Sequence, residues 1–242
     1  MNIDDICLPP TTAVILAGGL GTRLAIVISD LPKPMAPVHG RPFLEYLIDH
    51  WIGQGVESFV LSTGHLGEKI SAHFGPTYRG RAIRYVHETT PLGTGGALRQ
   101  ALLSHSVDQS HVVLLNGDTW YPVEIASLCR SASLPVTIAL KPMLDNQRYG
   151  AVTVDQKRVT AFGAQTTGPC LINGGCYLIE VEPIAEQLKN YPQRFSLEQD
   201  FLPQMASNGM VGASLQDASF LDIGIPEDYL RSSEFLPVSL NP

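Results

Sequence analysis

LAGGLGTRL at Leu16–Leu24, followed by LPKP at Leu31–Pro34, decides how this chain folds. Just ahead of the loop, Thr12–Leu16 is apolar and partly β-branched and reads as a short buried strand. It runs directly into three glycines within Gly18–Gly21. Glycine lets the backbone turn sharply and approach a ligand closely. Consecutive backbone N–H groups in such a turn form a concavity suited to anions, usually phosphate. Arg23 and Lys33 add two positive charges near the same strand end. A glycine loop alone is a weak signal. A strand, a glycine loop, an arginine and a lysine flanked by prolines, in that order, specify a phosphate cradle at the edge of an α/β sheet.

Two commoner phosphate loops do not fit. A Walker A loop needs Lys then Ser or Thr after its last glycine, whereas Gly21 is followed by Thr22 and Arg23. The dinucleotide fingerprint needs glycines at its first, third and sixth positions, and Leu24 occupies the last of these after Gly19 and Gly21. An NAD-dependent oxidoreductase is disfavoured on that ground.

The 242 residues are 44% hydrophobic and 16% charged, enough for one sizeable core. No apolar run approaches the roughly 20 residues that span a bilayer, and the first ten residues carry no basic, apolar, small-residue signal segment. Cys7, Cys129, Cys170 and Cys176 form no CxxC pair, so reduced thiols in a cytoplasmic protein are expected. The formal net charge of −7 repels nucleic acid and anionic lipid, so neither is expected as a partner. Positive charge for a phosphate substrate must be local or come from a metal ion. The sequence leaves the oligomeric state open, self-association included.

Strand and helix patterns alternate. Expected strands are Thr12–Leu16, Ser58–Thr63, Ile83–His87, His111–Asn116 and Val136–Lys141, with helical spacing over Pro42–Gln54, Glu68–Phe74, Ala97–Ser104 and Val123–Ala132. This alternation predicts a mostly parallel sheet with helices on both faces, whose ligands sit at the carboxyl ends of strands. Further on, Ala151–Val154, Val159–Phe162 and Leu171–Ile179 read as short strands of an antiparallel extension. Helical segments at Ile184–Lys189 and Leu197–Ser207, a strand at Val211–Leu215 and a helix from Pro226 follow. No Pro/Gly/Ser linker separates the halves, so one domain over residues 1–242 is expected. Within it, residues 12–145 would mainly bind nucleotide and 146–230 the acceptor.

VVLLNGDTW places Asp118 just after a strongly apolar strand, and FLDIGIPEDY places Asp222 near another. Alone, either aspartate reads equally well as a turn or helix cap. Beside a phosphate loop, two carboxylates at strand ends suit Mg²⁺, which takes one or two carboxylates plus phosphate oxygens and water. The seven histidines show no HxxxH spacing, and no G-x-S-x-G elbow frames a serine. Trp51 sits in a helical apolar pattern and reads as core. Trp120, after the Asp118 turn, reads either as core or as a substrate contact.

LAGGLGTRL, LPKPMAPVHGRPFLEYLI, PLGTGGAL, NGDT, LINGGCYL and FLDIGIPEDY together resemble the sugar-1-phosphate nucleotidylyltransferases, in order and over roughly residues 12–230. Within them the chain is most similar to the D-glycero-α-D-manno-heptose 1-phosphate guanylyltransferases, with the mannose-1-phosphate guanylyltransferases next. The resemblance implies a Rossmann-like α/β/α sandwich of the GT-A type. It implies that the catalytic residues are Arg23, Lys33 and Asp118, and that Asp118 and Asp222 hold Mg²⁺. It assigns Leu16, Ala17, Gly18, Gly19, Gly21, Thr22 and Arg23 to the nucleotide phosphates, with Asn116 and Gly117 beside them. Gly93 and Thr94 fall where the family reads the base, with Glu88 just upstream. Gly150, Asn173 and Glu198 match positions lining the sugar pocket. The implied partners are a nucleoside triphosphate, GTP favoured, and a sugar 1-phosphate. A phosphate oxygen of the acceptor is already an anion, so its in-line attack on the α-phosphorus needs no dedicated base. Positioning and charge neutralisation carry the reaction.

The pattern breaks at one place. Relatives carry a Phe-x-Glu-Lys run whose lysine contacts the sugar phosphate, and here the run is Phe162-Gly163-Ala164-Gln165. Three readings follow: Arg148 in NQRYG supplies the cation, the acceptor differs, or the chain binds nucleotide or nucleotide sugar without much turnover.

Overall fold

β1 (Thr12–Ala17) runs one residue beyond the expected strand, and its side chains alternate between two buried faces. In this computed structural model the described residues are 11–19, 21, 23–24, 28, 30–104, 107–144, 148–163 and 168–238. After the glycine loop come a 3₁₀ turn at Lys33–Met35, the two-residue strands β2 (Pro37–Val38) and β3 (Arg41–Pro42), and α1 (Phe43–Gly53). Then follow β4 (Ser58–Thr63), α2 (Gly67–Phe74), β5 (Thr77–Tyr78), β6 (Arg81–His87), α3 (Gly93–Leu103) and β7 (His111–Asn116). β8 (Thr119–Trp120), α4 (Ile125–Ser131) and β9 (Val136–Met143) complete the first half. The second half holds β10 (Val152–Asp155), β11 (Arg158–Phe162), β12 (Cys170–Glu180), α5 (Val181–Lys189), a π turn at Leu197–Phe201 and α6 (Leu202–Ser207). β13 (Val211–Leu215), β14 (Leu221–Asp222), α7 (Pro226–Leu230) and α8 (Ser232–Phe235) end it.

Ten strands form one sheet in the order β10-β11-β13-β9-β12-β7-β1-β4-β6-β5. β7, β1, β4 and β6 run parallel, as do β9 and β13. The β10–β11 pair is the antiparallel extension that the sequence suggested. β12 is placed differently, because it runs antiparallel between β7 and β9 in the middle of the sheet. One strand thus ties the two halves of the chain together.

The near-continuous apolar runs of β1, β4 and β7 follow from burial on both faces. Ala13, Ile15, Phe59, Leu61, Val113 and Leu115 face α1, α2 and α4, whereas Val14, Val60, Val112 and Leu114 face α3, α5 and α6. Trp51 is a core residue of the first layer. Trp120 is also buried there, 5.6 Å from the His50 ring, and lies away from the cleft described below.

α5 starts three residues ahead of its expected span and α4 is shorter than its own, and two further helical segments depart for reasons visible in the packing. α3 begins at Gly93 rather than Ala97, because glycines that weaken helix propensity are required there by packing. A Cβ on Gly95 would lie 2.2 Å from the Phe195 ring, and one on Gly96 would lie 2.3 Å from the Gln193 carbonyl oxygen. The span Leu197–Ser207 is a π turn running into α6, with Pro203 in the helix's first turn where its missing N–H is tolerated. Among the described residues no helix is long and apolar enough to cross a membrane.

Candidate active site

Three neighbouring strands, β4, β1 and β7, end in glycine on the same side of the sheet, at Gly64, Gly18 and Gly117. None has room for a side chain. A Cβ on Gly64 would lie 2.6 Å from the Gly18 carbonyl oxygen, one on Gly117 2.6 Å from the Leu16 carbonyl oxygen, and one on Gly18 2.3 Å from Glu88 Oε1. The result is a shelf of bare backbone at the carboxyl ends of parallel strands, where open α/β sheets place their ligands.

Above the shelf lies a cleft of about 250 Å³. It brings together Leu16, Ala17, Gly18, Gly19, Lys33, Glu88, Gly93, Thr94, Asn116 and Asp118, all of them expected from the sequence. Pro34, Pro91 and Ala97 also line it, and no chemical signal in the sequence marks them out. Gly117 acts behind the wall, where its N–H donates to the Leu16 carbonyl at 2.9 Å. Gly21 sits at φ +61° with its α-carbon against the Lys33 stem. Arg23 lies exposed on the following turn, outside the cleft lining. Thr22 falls outside the described residues.

At one end of the cleft stand two carboxylates and two cations. The two-residue pairing of β8 with β14 sets Asp222 opposite Thr119, the neighbour of Asp118. The Ile223 N–H donates to the Asp118 carbonyl at 3.0 Å and closes the arrangement. Lys33 Nζ lies 2.5 Å from Asp118 Oδ2 and 3.7 Å from Asp222 Oδ1. Asp222 Oδ1 also accepts the Gly224 N–H at 2.7 Å, and Thr119 Oγ1 donates to Asp118 Oδ1 at 3.2 Å. Burial first, and then the Asp118 charge, hold the Asp222 carboxyl above the usual carboxylate range, against the pull of Lys33, the Gly224 N–H and Arg148. The D-x-G spacing Asp222–Gly224 is a turn signal that could have announced this bond from sequence.

Both carboxylates already reach one shared positive atom, so their placement fits a single cation. Among the described residues no group of three or more His, Cys, Asp or Glu side chains could hold a metal. A two-carboxylate set completed by phosphate oxygens and water suits a hard ion such as Mg²⁺.

Hydrogen bonds join the start of α3 to the second half of the chain. Glu88 is buried, its Oε1 accepting from Ser62 Oγ at 3.2 Å and its Oε2 from the Leu92 N–H at 3.0 Å. Thr94 Oγ1 donates to Glu198 Oε2 at 2.6 Å and accepts the Leu197 N–H at 2.9 Å, tying the start of α3 to the π turn. The Asn173 amide donates to the Tyr177 hydroxyl at 2.8 Å, and its oxygen accepts the Gly175 N–H at 3.0 Å. These bonds brace an irregularity in β12 at Gly174–Gly175, where a Cβ on Gly175 would lie 2.5 Å from the Asn116 amide. Both ends of the Asn173 amide are thus engaged with β12 itself. Gly150 is exposed, and a Cβ there would lie 2.8 Å from the Gly163 carbonyl oxygen.

The Arg148 guanidinium lies 3.6 Å from Asp222 Oδ2 and hydrogen-bonds Asp228. It stands over the Tyr149 ring at 5.1 Å, and Tyr149 packs edge-on against Phe220. Sequence reasoning missed Asp228, Tyr149 and Phe220, which hold this cation beside the aspartates. Ala164 and Gln165, where the family pattern breaks, lie outside the described residues.

Comparison with known proteins finds relatives along nearly the whole chain. The nucleotidyl transferase family model matches residues 12–238. The D-glycero-α-D-manno-heptose 1-phosphate guanylyltransferase of Aneurinibacillus thermoaerophilus is 40% identical over 230 residues, covering 93% of this chain and 97% of that protein. The enzyme of the same name from Campylobacter jejuni is 38% identical, covering 90% of this chain and 96% of its own length. The crystal structure of HddC from Yersinia pseudotuberculosis, complexed with GMP-PN, superposes with a TM-score of 0.80 at 34% identity. That match covers 93% of this chain and 99% of HddC.

Proposed function

We propose that this chain, which belongs to the nucleotidyl transferase family, transfers guanylyl from GTP to D-glycero-α-D-manno-heptose 1-phosphate, releasing pyrophosphate. The observation that carries the proposal is the cleft in which a backbone shelf, Lys33 and the Asp118–Asp222 pair converge. The printed activities of the relatives of similar length support the acceptor and the nucleotide.

In this reading the glycine loop and Lys33 bind the triphosphate and orient its α-phosphorus for in-line attack by the acceptor phosphate oxygen. Arg23, exposed on the turn after the loop, stabilises the reacting phosphates. Asp118 and Asp222 hold Mg²⁺, which when bound neutralises phosphate charge that would otherwise repel the incoming anion. Glu88 selects the base. Two of its lone-pair sites are occupied by Ser62 and Leu92, and an ionised carboxylate has about four, all of them acceptors. Guanine offers an N2 amino donor that adenine lacks, together with an adjacent ring N–H, and this supports GTP over ATP. Residues 12–145 carry the nucleotide and 146–230 the acceptor within one working unit, bridged by Thr94 and Glu198. Arg148 supplies the acceptor-side cation. The substrates are soluble anions and Cys129, Cys170 and Cys176 are free thiols, which supports a cytoplasmic setting.

The test is pyrophosphate release by purified protein with Mg²⁺, each nucleoside triphosphate in turn, and a panel of heptose and hexose 1-phosphates that includes mannose 1-phosphate. GTP with the manno-configured heptose phosphate is the expected best pair. Tight GTP binding without pyrophosphate from any pair would refute the proposal and favour a nucleotide-binding role.

A further inference from the structure

We infer that Lys33 is the resident counter-ion of the two-aspartate site in the free chain, and that its ammonium must leave the carboxylates for a divalent cation to be held there. Metal and nucleotide phosphates therefore enter together. This rests on the two-aspartate reading above and adds an order of binding to it.

Three observations support it. The ammonium lies 2.5 Å from Asp118 Oδ2 and 3.7 Å from Asp222 Oδ1, and the side chain is only 9% exposed. It therefore occupies the position where both carboxylates converge. Its seat is shaped for it, since a Cβ on Gly21 would lie 3.2 Å from the Lys33 Cβ and one on Gly224 would lie 3.0 Å from Nζ. Finally, Lys33 opens a 3₁₀ turn between Pro32 and Pro34, so its backbone is fixed and any transfer of the charge must come from the four-carbon stem.

Charge counting gives the direction. Asp118, Asp222 and Asp228 carry three negative charges and Lys33 and Arg148 two positive ones, leaving the cluster at −1. A divalent cation arriving alone meets a lysine at contact distance from both of its ligands, where like charges interact most strongly. When a triphosphate arrives as well, Lys33 moves from the carboxylates to the phosphates, and each anion keeps a positive partner. Lys33 and Asp118 both line the same cleft, so the transfer requires side-chain motion only.

The test is Mn²⁺ binding to nucleotide-free protein, read from the electron paramagnetic resonance signal of free Mn²⁺. Lys33→Met should bind Mn²⁺ at least about tenfold more tightly than wild type, a difference of about 1.4 kcal/mol. Adding Asp222→Asn should remove that gain. Equal affinities for wild type and Lys33→Met, both lost with Asp222→Asn, would overturn the inference and leave the metal site standing. Binding indifferent to Asp222 in either background would remove the metal site and the inference with it. Wild-type protein gives a second measurement should Lys33→Met not fold, namely reductive methylation of Lys33 followed by peptide mass spectrometry. Millimolar Mn²⁺ alone should leave its rate unchanged, and acceleration by the metal alone would refute the inference.

Discussion

Thr94→Val tests whether the Thr94 hydroxyl reads the base or joins the two walls of the cleft. Valine keeps the shape and removes only the hydroxyl, which donates to Glu198 Oε2 at 2.6 Å and accepts the Leu197 N–H at 2.9 Å. A bond to a carboxylate contributes about 2 kcal/mol and a neutral one about 1, so the expected loss of stability is about 3 kcal/mol. Ser196 Oγ still donates to the same Glu198 oxygen at 3.1 Å, so the carboxylate is not abandoned and a larger loss is not expected. For a chain of 242 residues that loss corresponds to a melting temperature lower by about 6–12 °C. Thermal unfolding followed by circular dichroism gives the measurement, with Thr94→Ser, which keeps both bonds, as the control near wild type. KM for the acceptor should rise along with KM for GTP, since the hydroxyl holds Glu198 as well as α3. A Thr94→Val protein that melts within about 2 °C of wild type, a shift worth less than about 1 kcal/mol, while losing only GTP affinity would refute the bridging role.

Other expectations concern the carboxylates and the loop. Asp222→Asn retains an oxygen for the Gly224 N–H and removes a charge whose carboxyl burial and Asp118 hold above its usual range. A raised carboxyl is most favourable to folding below its unfolded value, and that contribution is lost as pH rises through the folded one. The metal-free variant should therefore melt higher than wild type at neutral pH, while pyrophosphate release falls about 100-fold or more; a lower melting temperature would contradict the sign. Gly18→Ala places a Cβ 2.3 Å from Glu88 Oε1, so KM for GTP should rise and the GTP-to-ATP preference should narrow, as measured by initial rates with each nucleotide. Arg148→Ala frees Asp228 and Asp222 of their shared cation and should raise KM for the sugar phosphate more than for GTP. Equal effects on both substrates would count against an acceptor-side role.

Much of the sheet was legible because its strands are buried on both faces. Ser58–Thr63, His111–Asn116 and Val211–Leu215 fall on the residues that their apolar runs indicated. β8 and β14 are two residues each, too short to carry a period, yet their pairing brings Asp118 and Asp222 to one point. Gly18, Gly19 and Lys33 could be named in advance because a glycine loop at a strand end followed by a proline-flanked lysine suits phosphate, whereas Leu16, Ala17 and Asn116 were named through the family resemblance. The internal bonds of Asn173 and Gly117 were not legible, because bracing a backbone and touching a substrate call for the same residue types. The glycines of PLGTGGAL have a similar double meaning. Gly95 and Gly96 make room for Phe195 and Gln193, and Gly93 is the one glycine of the three that lines the cleft, beside Pro91, Thr94 and Ala97.

The placement of β12 bears on how the segment between β9 and β12 could be exchanged. β9 and β12 are neighbours in the sheet, and Met143 and Cys170 stand opposite each other at its end. The described residues between them, including β10, β11, Arg148 and Gly150, lie between two strand ends paired at one rung. The described part of that segment is tied to the rest of the sheet through Arg158 opposite Gly212, the Ala213 N–H donating to the Lys157 carbonyl and Ala151 opposite Ile172, and through Val152 and Val159 buried in the shared core. A graft replacing residues 144–169 would join at a pair of strand ends that are already aligned. The glycine shelf and the β8–β14 pairing would keep their register, but Asp222 and Asp228 would lose Arg148, so any graft must bring its own cation to that carboxylate cluster.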